Sequence, residues 1–277
     1  MAEYIKNSQA MPHPADNMRA RTHKPRHAVA FFSGGISSYL AAKRAVQQYG
    51  AGNTVLLFTD TMIEDEDLHR FLGEAAVKLG AKLVKIADGR DPWQVFQDKR
   101  YVGNTRASVC SIELKVKPAQ KWVKEHCTGN TVLVFGIDEF ESHRVGPIAK
   151  NWLPHECWFP LVEKPTSYRE RERELADDGL KRPRLYDMGF AHNNCGGFCV
   201  KAGQSHFATL YRTMPERYAH HAKKEREAID SGINHSGIIR VMTGGVTKYL
   251  PLDEYAKTIE SGLFDEFDTR GCGCFSE

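Results

Sequence analysis

The sequence predicts an α/β protein: a doubly wound, mostly parallel sheet with helices on both faces, continued by a mostly helical C-terminal extension. Three observations carry that expectation. Apolar runs recur at residues 29–32, 54–59, 82–86 and 131–135, the pattern of strands buried on both faces. Stretches with helical spacing separate them. The first run ends in Ser33-Gly34-Gly35-Ile36-Ser37-Ser38, a sharp turn that leads into strong helix formers from Tyr39 to Val46.

Residues 1–26 carry His13, Arg19, Arg21, His23, Lys24 and Arg26 with few large apolar side chains, which predicts a flexible basic N-terminal arm. Residues 27–203 are expected to form the α/β unit that carries the glycine turn. Strand, glycine turn and helix aim free N–H groups and the positive helix end at one point, where an anion such as phosphate belongs. Gly34 and Gly35 allow close backbone approach, and Ser33, Ser37 and Ser38 add hydroxyl donors. The turn lacks the Gly-Lys-Ser/Thr ending of a Walker loop and the Gly-x-Gly-x-x-Gly of a dinucleotide fold.

The helix stops at Gly50-Ala51-Gly52-Asn53, and the second strand ends at Asp60-Thr61. Ligands of open parallel sheets lie at the strands' carboxyl ends, so Asp60 falls near the crevice, to meet a ribose hydroxyl or magnesium or to cap the next turn. Glu64-Asp65-Glu66-Asp67 precedes a helical repeat and reads as a structural offset to the helix dipole. A third strand and a helix opened by Pro92 follow, then a segment from Arg106 to Pro118 that enters the 119–126 helix. The fourth strand delivers Gly136 to Arg144 to the same sheet edge as the glycine turn.

Residues 158–161 read as a short strand-like piece, and 168–175 as a charged helix whose alternating Arg and Glu mostly form a solvated face. A loop over 179–190 leads to Cys195-Gly196-Gly197-Phe198-Cys199. In the extension, 204–277, helices are expected over 205–211, 215–229 and 252–261. A hairpin around Thr243-Gly244-Gly245 and a Cys272-Gly273-Cys274 tail complete it.

The 277 residues suggest one large domain or one with an appendage, and 41% hydrophobic content suffices for a core. A net charge of +3 accommodates phosphate ligands or nucleic acid and selects neither. No apolar run approaches the roughly 20 residues of a membrane span, and the polar N-terminus has no signal-peptide core. A cytoplasmic location follows as the expectation. Seven cysteines, an odd number, argue against a disulfide framework and for free thiols, metal or catalysis.

In order along the chain, several pieces resemble the phosphoadenosine phosphosulfate (PAPS) reductase family, within the adenine nucleotide alpha-hydrolase (PP-loop, N-type ATP pyrophosphatase) superfamily. They are Ser33–Ser38, Asp60-Thr61, Cys110-x-x-x-Leu114-Lys115-x-x-Pro118 and Gly136 through Glu141-Ser142-His143-Arg144. Phe159-Pro160-Leu161 and Pro183-x-Leu185-Tyr186-Asp187-x-Gly189-Phe190 complete the set. Ser37 stands where the superfamily's PP-loop usually has Asp. The match covers about residues 27–211.

The resemblance implies an adenine nucleotide site and sulfur chemistry. Ser33, Gly34, Gly35, Ser37 and Ser38 would hold phosphate or sulfate oxygens, with Lys115, His143 and Arg144 adding charge; an Arg at a strand end suits a bidentate phosphate contact. Family members with a [4Fe–4S] cluster often carry a Cys-Cys pair and a later Cys-x-x-Cys; this chain has single Cys110 and Cys195-x3-Cys199. Cys110, Cys195 and Cys199 are the expected cluster ligands, with zinc and free redox thiols as alternatives. Cys272 and Cys274 are candidate nucleophiles or a fourth ligand, His143 a candidate assistant, and Cys127 and Cys157 ordinary residues.

Two activities follow from the resemblance. One is reduction of an adenylyl sulfate by cysteine thiols, with a thioredoxin-like reductant. The other is ATP-dependent sulfur transfer from a sulfur donor to tRNA or DNA, tracked by Lys and Arg at 164–184 and 222–226. A nucleotide-binding regulatory module is a third reading that leaves the cysteines idle. A homo-oligomer is compatible with all three.

Overall fold

The computed structural model describes residues 27–103, 108–243, 245–266 and 268; the expected N-terminal arm and the Cys272 and Cys274 tail lie outside them. Five strands form one sheet in the order β3-β2-β1-β4-β5, every pair parallel. They are β1 (His27–Phe31), β2 (Thr54–Asp60), β3 (Lys82–Ala87), β4 (Thr131–Phe135) and β5 (Glu156–Trp158). β1 and β4 are central and almost wholly buried, as their continuous apolar runs require.

Helices α1 (Ile36–Tyr49), α2 (Glu66–Leu79) and α3 (Pro92–Lys99) follow the first three strands. Asp65 caps α2 by accepting from Asp67 N–H, and Glu66 and Asp67 occupy its first turn, the structural task expected of that acidic run. α4 (Val109–Ser111) passes through a π-helical turn, Ile112–Val116, into α5 (Lys117–His126). After β4 come a 3₁₀ turn, Glu139–Arg144, and α6 (Val145–Asn151).

Two short pieces differ from expectation. The strand-like stretch at 158–161 is strand only to Trp158, because Pro160 opens the single turn α7 (Pro160–Glu163). The loop over 179–190 contains the helical turn α9 (Arg184–Asp187), which follows α8 (Tyr168–Asp177). The C-terminal part comprises α10 (Gln204–Thr213), α11 (Pro215–Asp230), the antiparallel hairpin β6 (Ile239–Thr243) with β7 (Val246–Leu250), and α12 (Leu252–Glu260).

Two apolar clusters cover the faces of the sheet, one around α1 and α2 and the other around α5 and α6. A third joins α3 to the cysteine loop and the C-terminal helices, with Trp93, Phe198, Phe207 and Tyr255 inside it, and so takes residues from both sides of position 203. The chain leaves β1 toward β2 and β3 on one side and later builds β4 and β5 on the other. The carboxyl ends of β1 and β4 therefore flank the topological switch point, where open α/β sheets bind ligands.

Candidate functional site

At the end of β1 the backbone is shaped for an anion. Gly34 has φ +82°, and a Cβ there would lie 1.9 Å from Leu68 Cδ1, so neither conformation nor packing admits a side chain. α1 begins at Gly35 with no side-chain cap and no acidic residue in its first turn. Of its first N–H groups, that of Ile36 donates to the Tyr186 hydroxyl, and the rest lie at the positive helix end, where anions are favoured. Burial pushes that hydroxyl up to about 12, so it stays protonated. Ser38 Oγ donates to Gly35 C=O (2.8 Å) and stands 3.3 Å from Ser33 Oγ.

The end of β4 closes in on this turn through Gly136, where a Cβ would sit 2.6 Å from Ser38 Cα. Between the two strand ends lies a cavity of about 350 Å³. Ser33, Gly35, Ser37 and Ser38 line one side, and Asp138, Glu141, Arg144 and Arg171 the other. Arg171 Nη1 donates to Asp138 Oδ2 (2.7 Å), and Arg144 donates to Glu141. Both arginines are buried.

A second, smaller cavity, about 20 Å³, brings together Cys110, Cys195, Cys199 and Lys115. The turn that carries Cys195 is held in the left-handed region (φ +53°) and continues through Gly196 (φ +58°) and Gly197 (φ +84°). Arg217 Nη1 pins it by donating to Gly196 C=O (2.7 Å) and Ile63 C=O (3.2 Å). His206 Nε2 lies 2.8 Å from Gly197 C=O. Burial raises all three thiols, Cys199 to about 11, so each is held protonated.

Lys115 is the junction. It lies in the π-helical turn, is buried, and lines both the thiol cavity and a narrow crevice beside Ser33 and Thr59. Its Nζ stands 3.8 Å from Glu64 Oε1. Burial opposes its charge, and the Glu64 carboxyl beside it favours it. π-Turns inside helices are frequent at functional sites, because the extra residue re-aims one side chain.

Of the residues expected from sequence, Ser33, Gly35, Ser37, Ser38 and Arg144 meet at the larger cavity, and the three cysteines and Lys115 at the smaller one; Gly34 shapes the turn without lining either. Asp60 stands apart: it accepts from Met62 N–H (2.8 Å), the turn-capping alternative. His143 is exposed on the 3₁₀ turn and lines neither cavity. Cys127 and Cys157 are half-buried away from both.

Four residues were missed. Arg171 is the exception on a helix whose other Arg and Glu form the mostly solvated face expected of it, because Arg171 and Leu175, four apart, make its buried stripe. Glu64 leaves the acidic run and turns inward: Oε1 accepts from Thr61 Oγ1 (2.9 Å), Oε2 is buried without a partner, and burial raises its pKa. His192 and Asn193 line the larger cavity. Both His192 ring nitrogens and Asn193 Oδ1 are buried without partners, and burial, His206 and Lys115 lower His192 to about 3. The only sequence signal for these two was their position just before Cys195.

No protein-family model matches the sequence, and no curated protein matches it. Among solved structures, a PAPS reductase from Candida auris in a phosphate complex aligns with a TM-score of 0.42 at 14% identity. The alignment covers 64% of this chain and 83% of that one.

Among the described residues no helix is long and apolar enough to cross a membrane. No group of three or more His, Cys, Asp and Glu among them stands ready to hold a metal ion. By donor type the thiol cavity matches a thiophilic group, since three sulfurs and one buried ammonium line it. Its room is that of a single water or so, and a cluster requires the segments bearing Cys110 and Cys195 to part.

Proposed function

We propose that this chain is a PAPS reductase-like enzyme of sulfur metabolism that binds an adenine nucleotide, adenylyl sulfate or ATP, on its PP-loop. Sulfur chemistry takes place at the adjoining thiols. The observation that carries the reading is Lys115, one buried cation shared by the crevice at Ser33 and the cavity of Cys110, Cys195 and Cys199. A charge so placed attracts the nucleotide's anionic end on one side and thiolates on the other.

The N–H groups at the start of α1 and the hydroxyls of Ser33, Ser37 and Ser38 hold the phosphate or sulfate oxygens, and Arg144 faces them across the cavity. Cys110, Cys195 and Cys199 would hold an iron–sulfur cluster, which when bound supplies a sulfur- or electron-carrying centre beside the nucleotide. Their raised pKa values favour that role over attack by a free thiol, since a bound metal displaces the protons that burial retains.

In a reductase, the attacking thiolate comes from Cys272 or Cys274. It forms an S–S bond to the sulfate sulfur, the S–O bond to the nucleotide breaks, and AMP leaves with the electron pair. A thioredoxin-like dithiol then releases sulfite and is itself oxidised to the disulfide.

The second reading, ATP-dependent thiolation of tRNA or DNA, would use the same three cysteines as ligands of a sulfur-carrying cluster. The basic clusters give it little help: Arg182, Arg184 and Arg226 each pair with carboxylates of this chain. Anaerobic purification with iron, sulfide and zinc analysis tests the cluster. About four irons and four sulfides per chain, lost in Cys195→Ser and Cys199→Ser, support it; absence of metal from folded protein overturns it. AMP released from adenylyl sulfate plus a dithiol then marks the reductase, and AMP released from ATP only with nucleic acid marks the transferase.

A further inference from the structure

The larger cavity has two unlike sides. The PP-loop side offers N–H groups, hydroxyls and a helix end, and is built for an anion. The opposite side, built from the end of β4 and from α8, carries two cations and two anions, and each arginine donates to one of the carboxylates. Arg171 Nη1 lies 2.7 Å from Asp138 Oδ2, and Arg144 donates to Glu141. Arg144 and Arg171 are both buried, and all four residues line the cavity. Among the described residues, no other Lys or Arg lines it.

From this pairing, and resting on the nucleotide reading above, we infer that the site selects an adenine nucleotide whose ribose 2′- and 3′-hydroxyls are free and rejects one bearing a 3′-phosphate. With the 5′-phosphate or sulfate on the PP-loop, the inference seats the sugar against the β4 wall, which lines the same cavity. Carboxylates only accept hydrogen bonds, and ribose hydroxyls donate them, so Asp138 and Glu141 suit a free diol. A 3′-phosphate would bring two further negative charges against two carboxylates. It would meet arginines whose charge is already neutralised, and it would have to break a buried pair to recruit one.

Asp138 also fixes the geometry. Its Oδ1 accepts from Phe140 N–H (3.1 Å) while Oδ2 holds Arg171, so the carboxylate is oriented from two directions. Replacement by Asn keeps the Oδ1 acceptor and removes the charge that neutralises Arg171. Glu141, whose side chain is 39% exposed, allows a gentler change of the same kind.

The test is calorimetric titration of the full-length protein with AMP and with adenosine 3′,5′-bisphosphate. AMP should bind at least tenfold more tightly. Asp138→Asn and Glu141→Gln should each narrow that ratio by raising bisphosphate affinity, and Glu141→Gln covers the case in which Asp138→Asn does not fold. Equal or tighter bisphosphate binding by the wild type overturns the inference and leaves the nucleotide site standing. Failure of both ligands to bind overturns the nucleotide reading itself, and the inference with it.

Discussion

Gly136 has no room for a methyl group: a Cβ there would meet Ser38 Cα at 2.6 Å, Ser38 N at 2.7 Å and Ser37 C at 2.9 Å, all backbone. Backbone cannot step aside as a side-chain tip can, so Gly136→Ala must push β4 away from the start of α1. We expect it to destabilise the fold by about 1–3 kcal/mol, the usual cost of overpacking, and to weaken AMP binding more than it lowers Tm. Melting curves beside calorimetry separate the two effects. Lys115 poses the complementary case, a buried charge whose proposed role is to draw the nucleotide's anionic end. Lys115→Met keeps its length and removes the ammonium beside Glu64, whose carboxyl burial already favours neutral. The variant should remain folded by circular dichroism and bind AMP about tenfold more weakly, a loss near 1.4 kcal/mol. Unchanged affinity would remove Lys115 from the nucleotide side.

At the scale of elements, α11 ties the C-terminal hairpin in place through a single buried carboxylate. Glu225 Oε1 accepts from Ile238 N–H (2.7 Å) and Oε2 from Leu252 N–H (2.5 Å), so one side chain clamps the entry to β6 and the start of α12. Burial pushes Glu225 up to about 7 despite those two donors. A folded-state pKa above the ordinary 4.5 means that the folded chain holds the proton more tightly than the unfolded one. This contribution to stability is therefore complete below about pH 4.5 and is lost as pH rises through about 7. Glu225→Gln stays neutral and should lack that component. Melting temperatures from pH 4.5 to 8 should fall more steeply for the wild type than for the variant; parallel curves would assign the clamp no titration.

For the molecule as a whole, the cleft at the switch point and the thiol cavity lie on different packing units. The PP-loop belongs to the core around α1 and α2, whereas Cys110 and Cys199 belong to the core shared by α3 and the C-terminal helices. A nucleotide seated on the PP-loop should stabilise the whole by mass action, about 2.7 kcal/mol at a hundredfold excess over Kd. A Tm rise that grows with the logarithm of AMP concentration, and is lost in Gly136→Ala, would show the linkage. A flat Tm would leave the cavity without its ligand.

By itself the sequence determined the sheet, since four of its five strands announce themselves as apolar runs and β1 passes directly into a glycine turn and a helix. It likewise determined the anion turn, because local covalent geometry makes Gly34 legible from its neighbours alone. It marked Cys110, Cys195 and Cys199 by residue type. Only the tertiary structure decided which charges face inward. Arg171 and Glu64 sit in charge-rich runs whose members are interchangeable in sequence, and burial is set by partners distant along the chain, Asp138 for one and Lys115 for the other. Asp60 and His143 show the converse: their place at strand ends marked them for the site, yet Asp60 turns to its own backbone and His143 to solvent. Chain position brings a residue to a strand end, and packing then decides which way its side chain points.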